Sequence, residues 1–231
     1  MGSTVIDRDT SLYLQRSVQD LFSLKGRVTV ITGGARGIGL AWAFACAEAG
    51  SDVAVLDRLD QPHEHFSKLV NNFGVKIKLY TINSIGTYFA AQLTARQIVK
   101  QDEGLAKPKG GSMVFIASIS ARMASKAQYT SDYCASKGAV VALATQLGCE
   151  LADRGIRVNT ISPGYVATDM TLSIADTRPG LTEVFLSEPP MKRMADRVDL
   201  KGAAVFLLSD ASAYMTSADM LITGGMHAGR T

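Results

Sequence analysis

The sequence predicts an α/β fold built on a doubly wound parallel sheet, and three observations predict it. Short β-branched, apolar runs alternate with helical segments almost throughout. Several runs, such as DVAVL and SMVFIA, are apolar nearly end to end, as strands covered on both faces are. A glycine-rich turn joins the first run to an alanine-rich helix. With 231 residues, 47% hydrophobic and 19% charged, the chain is long enough for one well-buried domain and too apolar to be disordered.

The elements follow in order. Residues 1–26 are mixed and polar, with a weak helical pattern around Leu14, Val18 and Leu21, and read as an N-terminal arm before a domain spanning 27–231. RVTVIT (27–32) reads as a strand. After GGARGIG comes the helix LAWAFACAEAG, closed by Gly50. DVAVL (52–56) is a second strand, residues 63–73 an amphipathic helix, and VKIKLY (75–80) a third strand. Residues 85–99 are helical, SMVFIA (112–117) is a strand, 133–152 a long helix and RVNTI (157–161) a strand that stops at Pro163. A loop containing Pro179, Pro189 and Pro190 precedes a helix at 200–209 and a last strand, DMLI (219–222).

Composition narrows the function. Lys plus Arg exceed Asp plus Glu by 24 to 21, too little to call for nucleic acid or an acidic membrane surface. The longest apolar run, 40–47, is far short of the ~20 residues a membrane span needs. Cys46, Cys134 and Cys149 form no CxxC pair, so a reducing, cytoplasmic setting is expected. The string His63-Glu64-His65 puts its histidines at i, i+2, which do not share a helix face, and no metal site is expected.

Four motifs carry chemistry. In TGGARGIG, Gly33 allows a tight turn, Gly37 lets the backbone approach a pyrophosphate, and Gly39 allows close packing of helix on strand. The helix N-terminus adds free N–H groups and partial positive charge. Asp57 lies 18 residues after Gly39, at the end of the second strand. An acid there accepts hydrogen bonds from the adenosine ribose and repels a 2′-phosphate, favouring NAD over NADP, although Arg36 or Arg58 could pair with a phosphate. The third motif, YCASK, places Tyr133 and Lys137 at i, i+4 on one helix face. An ammonium beside a phenol favours phenolate and brings an otherwise poor base towards its working range. Ser118 ends a strand 15 residues earlier and can bring a hydroxyl to the same space. A partly buried structural tyrosine is the alternative reading, and Tyr129 competes but has a tyrosine, not a lysine, four residues on. Last, SPGYVAT follows a strand directly, where ligands sit in such sheets.

Taken together, TGGARGIG, Asp57, Asn83, Ser118, YCASK and SPGYVAT resemble the short-chain dehydrogenase/reductase family, in its order and spacing, from about Leu24 to Gly225. DLFSLKGRVTVITGG, IASISA, SPGYVATDM and PPMKRMA are similar, more narrowly, to polyol dehydrogenases and ketose reductases within it. The resemblance implies a Rossmann-type domain that moves a hydride between a nicotinamide cofactor (NAD, with NADP possible) and a secondary alcohol or ketone, a polyol or ketose. It implies Tyr133 as general acid/base, Lys137 as the residue that lowers its pKa and holds the nicotinamide ribose, and Ser118 (Ser120 as runner-up) as orienter of the substrate oxygen. Asn83 would hold a water on the proton path. Gly33, Arg36, Gly37, Ile38 and Gly39 would cradle the pyrophosphate, Asp57 the ribose, and Pro163, Gly164, Val166 and Thr168 the nicotinamide. A homotetramer or homodimer through the two long helices is also implied.

One stretch departs from that pattern. Two residues separate Tyr80 from Asn83, where the family fold needs a helix, a fourth strand and their loops, roughly 40 to 50 residues. The family order, 3-2-1-4-5-6-7, puts that strand at the centre of the sheet. Either a segment that the natural protein carries is missing from this stretch, or the chain is truly shortened and its first strand pairs with the fifth. The alternative function is then an inactive remnant that binds or regulates.

Overall fold

The computed structural model describes residues 16–57, 63–65, 68, 76–77, 85–106, 108–125, 128–178 and 180–229. The order is α1 (Val18–Phe22), β1 (Val28–Thr32), α2 (Gly37–Glu48), β2 (Asp52–Leu56), β3 (Lys76–Ile77), α3 (Ile85–Asp102) and β4 (Gly111–Ile116). Then come α4 (Ser131–Glu150), β5 (Ile156–Pro163), α5 (Asp169–Thr177), α6 (Leu181–Ser187), α7 (Lys201–Leu208) and β6 (Asp219–Ile222), with short 3-10 turns between. The helix expected at 63–73 and the third strand beyond Ile77 lie outside the described residues, apart from a turn at Glu64–His65 and a single helical residue at Lys68. The stretch expected to be a loop after SPGYVAT is instead two helices, α5 and α6. Thr168 starts the first as an N-cap, its hydroxyl accepting from the Thr171 N–H.

Every ladder is parallel, as the runs predict. β1-β2-β3 form one sheet and β4-β5-β6 another. This is the expected order without its middle strand. β1 and β4 do not pair, so the direct re-pairing that a shortened chain invites is not what the chain adopts. Both sheets nonetheless lie under the same two helices. One core joins Ile31, Val53 and Val55 of the first sheet to Ile161 of the second beneath Leu40, Trp42 and Cys46 of α2 and Ala204 and Leu207 of α7. α2 can sit there because it is apolar almost all round. It ends cleanly at Gly50, whose φ of +95° only glycine adopts readily.

The opposite face is covered unevenly. Under β4 and β5, Met113, Ile156 and Val158 pack with Ala91 of α3 and Ala144 of α4. Under β1, Val28 is 68% and Val30 51% exposed. A parallel sheet is normally covered on both faces. Among the described residues, nothing covers this side of β1.

Candidate active site

The glycine turn occupies residues 33–36, between β1 and α2. Gly37 has φ +58°, and a Cβ built there would meet nothing within 4 Å. Gly39 is the opposite case, since its Cβ would fall 2.2 Å from the Gly33 carbonyl oxygen. The close approach therefore runs from helix to turn rather than from helix to strand. Gly34, which no spacing in the motif singles out, is needed too, because a Cβ there would lie 2.7 Å from the Val55 side chain. Arg36 is the N-cap of α2 and makes no side-chain cap bond, so the first N–H groups of a 12-residue helix face outward from the turn.

Asp57 follows β2 and is only 7% exposed, so it is not a solvated loop acid. Its carboxylate accepts the Ala35 N–H at 2.9 Å and ties the end of β2 to the glycine turn. Arg58 and Asn83 lie outside the described residues.

The second half of the site gathers beyond the end of β4. Ser118 is buried and caps a 3-10 turn, Ile119–Ala121, accepting the Ser120 N–H at 3.2 Å. Its hydroxyl lies near the Tyr133 phenol at the start of α4, where it lowers the pKa of that phenol against the effect of burial. Tyr129, the competing tyrosine, is 97% exposed.

Lys137 stands 5.7 Å from the centroid of the Tyr133 ring, and its ammonium donates to the Ile116 carbonyl at 2.9 Å. The expected electrostatics are not met here. Burial pushes the Tyr133 phenol above its ordinary pKa, and the Ser118 hydrogen bond, not the ammonium, opposes that rise. Lys137 is itself shifted down by desolvation. The lysine lies over the ring, with one proton held by a backbone carbonyl, rather than at the hydroxyl.

The third wall is the turn after β5. The Gly164 N–H donates to Ile222, and a Cβ on Gly164 would lie 3.0 Å from the Thr223 Cα. Val166 is buried and bridges to Ala195. Tyr165 leans on Phe185 of α6, with ring centroids 4.4 Å apart. Its hydroxyl donates to Glu188 at 2.6 Å and accepts from Gln128 at 3.1 Å. Beside it opens a cavity of about 230 Å³ lined by Tyr165, Pro189, Met191, Ile222 and Gly224, but not by Ser118, Tyr133 or Lys137.

Comparison with known proteins identifies the family. A family model described as short chain dehydrogenase matches residues 27–84, and one described as Enoyl-(Acyl carrier protein) reductase matches residues 78–227. The chain is 34% identical to an NADP-dependent mannitol dehydrogenase of Hypocrea jecorina, over 89% of this chain and 94% of that one. It is 32% identical to a sorbose reductase of Schizosaccharomyces pombe, over 89% and 97%. A crystal structure of a short-chain type dehydrogenase/reductase from Mycobacterium marinum superposes with a TM-score of 0.81 at 30% identity, covering 91% of this chain and 99% of that one. The mannitol dehydrogenase match runs over 255 residues but takes in 89% of a 231-residue chain, about 206, so roughly 50 compared positions have no residue here. The two family matches meet at residues 78–84, where the sequence falls short of a fourth strand.

Proposed function

The chain belongs to the short-chain dehydrogenase family, and from that premise we propose that it interconverts a polyol and its ketose, with Tyr133 moving the hydroxyl proton. As a nicotinamide-dependent oxidoreductase it acts on secondary alcohols and ketones; the named relatives support a sugar-alcohol substrate. The observation that carries the reading is the Lys137 ammonium over the Tyr133 ring, 5.7 Å from its centroid, with Ser118 close by at the C-terminal end of β4. This is the end of a parallel sheet where ligands bind.

The residues present fit a dinucleotide. The open space over Gly37 and the uncapped N-terminus of α2 suit a pyrophosphate, with Gly33, Ile38 and Gly39 shaping the cradle. Bound there, the nicotinamide supplies or accepts the hydride. Tyr133 takes the alcohol proton during oxidation and returns it during reduction, while Ser118 holds the substrate oxygen. Lys137 has three N–H donors, and Ile116 uses one, which leaves two for the ribose hydroxyls. Pro163, Gly164, Val166 and Thr168 hold the carboxamide side. Asp57 favours NAD, and Arg36 is the group that would serve a 2′-phosphate.

Tyr88, Phe89 and Leu93 are exposed on α3 and support assembly through the long helices, as a homodimer or homotetramer. No described helix is long and apolar enough to cross a membrane, which suits the cytoplasmic setting that the cysteines suggest. The inactive alternative draws on the short stretch before Asn83, whereas the gathering of Ser118, Tyr133 and Lys137 favours a working site.

The experiment is a turnover assay of the purified chain with NAD or NADP and a panel of polyols and ketoses, followed by nicotinamide absorbance. Turnover with a polyol is the expected result. No turnover with any alcohol or ketone, despite cofactor binding, would leave the inactive reading in its place.

A further inference from the structure

Asp219 opens β6, and its side chain is only 7% exposed. A buried carboxylate is costly unless its oxygens are paired. Here three donors meet it. The hydroxyls of Thr160 and Ser162 on β5 donate to one oxygen at 2.8 and 2.6 Å. Arg122 donates its Nε–H to the other at 3.0 Å. Arg122 is the C-cap of the 3-10 turn whose N-cap is Ser118. That turn is closed by the Ala121 N–H on Ser118 and the Arg122 N–H on Ile119, both at 2.9 Å. Arg122 and Ser118 therefore close one and the same turn from its two ends.

We propose that Asp219 and Arg122 are positioning residues for the reaction: the carboxylate, anchored on β5 and β6, holds the Ser118 turn through Arg122 and so aims the Ser118 hydroxyl at Tyr133. This rests on the reading of Ser118 and Tyr133 as the reacting pair. Arg122 is 51% exposed, and an ion pair that open to water adds little to stability. Its contribution is to geometry, because a small misplacement of an orienting group costs far more in rate than in folding.

The test uses Arg122→Ala, whose exposed side chain the fold tolerates better than a change at buried Asp219. The Tyr133 phenol is titrated by its ultraviolet absorbance, taking the difference between each protein and its Tyr133→Phe counterpart. Arg122→Ala is expected to move that titration to higher pH, as Ser118→Ala does, and to add nothing when combined with Ser118→Ala. In turnover, kcat falls about tenfold with cofactor KM unchanged, Arg122→Lys recovers part of it, and the loss disappears in a Ser118→Ala background. A Tyr133 titration unmoved by Arg122→Ala, or a loss of the same factor with and without Ser118, overturns the proposal. The titration needs no turnover, so an inactive chain whose Tyr133 responds to both residues would sink the functional reading and keep the positioning one.

Discussion

The Lys137 ammonium and the Ile116 carbonyl, 2.9 Å apart, mark an edge of the second sheet that no strand among the described residues pairs with. In a parallel ladder the N–H and C=O of one residue face the same neighbour, and those of the next residue face the other way. The Ala117 N–H donates to Ile161 on β5, so the Ile116 carbonyl faces the edge where a central strand would lie. Lys137 takes an acceptor which that strand would otherwise use. Lys137→Met therefore removes both a group of the site and a cap on the sheet. We expect Tm to fall, for about 1–2 kcal/mol, together with a large loss of turnover. A calorimetric scan beside the rate assay separates the two effects. An unchanged Tm would mean that the carbonyl finds water instead.

The two glycines of the turn should fail in opposite ways. Gly39→Ala forces a methyl against the Gly33 carbonyl and should destabilise the protein by at least ~1–3 kcal/mol. Gly37→Ala meets no atom and costs only the ~1–2 kcal/mol of its positive φ, but its methyl projects where a pyrophosphate would lie. Denaturation and dinucleotide titration of both variants check this. Equal cofactor affinity in Gly37→Ala and the parent would place the pyrophosphate elsewhere.

Cofactor choice should turn on the charge of Asp57. Asp57→Asn keeps an oxygen for the Ala35 N–H and drops the charge that repels a 2′-phosphate. The ratio of kcat/KM for NADP over NAD should rise about tenfold or more, at little cost in stability. A ratio that stays put would hand discrimination to Arg36 or to residues beyond β2.

The pH dependence follows from the raised Tyr133 pKa. Oxidation needs phenolate as base, so its rate should climb as pH rises above neutral. Reduction needs the protonated phenol and should hold steady through neutral pH. Because the Ser118 bond lowers that pKa, Ser118→Ala should move the oxidation profile to still higher pH. Rates measured in both directions across this range test the sign. An oxidation rate that declines from neutrality upward would mean another group is the base.

Five strands were legible because each apolar run begins at or beside a glycine or a charge, while most of the third expected strand lies outside the described residues. The helices α5 and α6 were masked by the prolines around them, although Thr168 followed by Asp169 is a helix-start signal. At the site, the i, i+4 spacing put Tyr133 and Lys137 together, and residue types marked Ser118 and Asp57. What spacing could not show was the partner each group chose. Lys137 on Ile116, Asp57 on Ala35 and Asp219 on Arg122 are contacts across 21 to 97 residues of chain. A lone Asp in the run DMLI was the only hint of the last.

The Tyr133 phenol is the group that moves the proton, and Tyr133→Phe removes it alone, with turnover measured beside dinucleotide affinity in the same preparation. Removing one hydroxyl should cut kcat by ~10²–10⁴ and leave affinity within about twofold of the parent. A Tyr133→Phe protein that turns over at the parent rate would contradict the account.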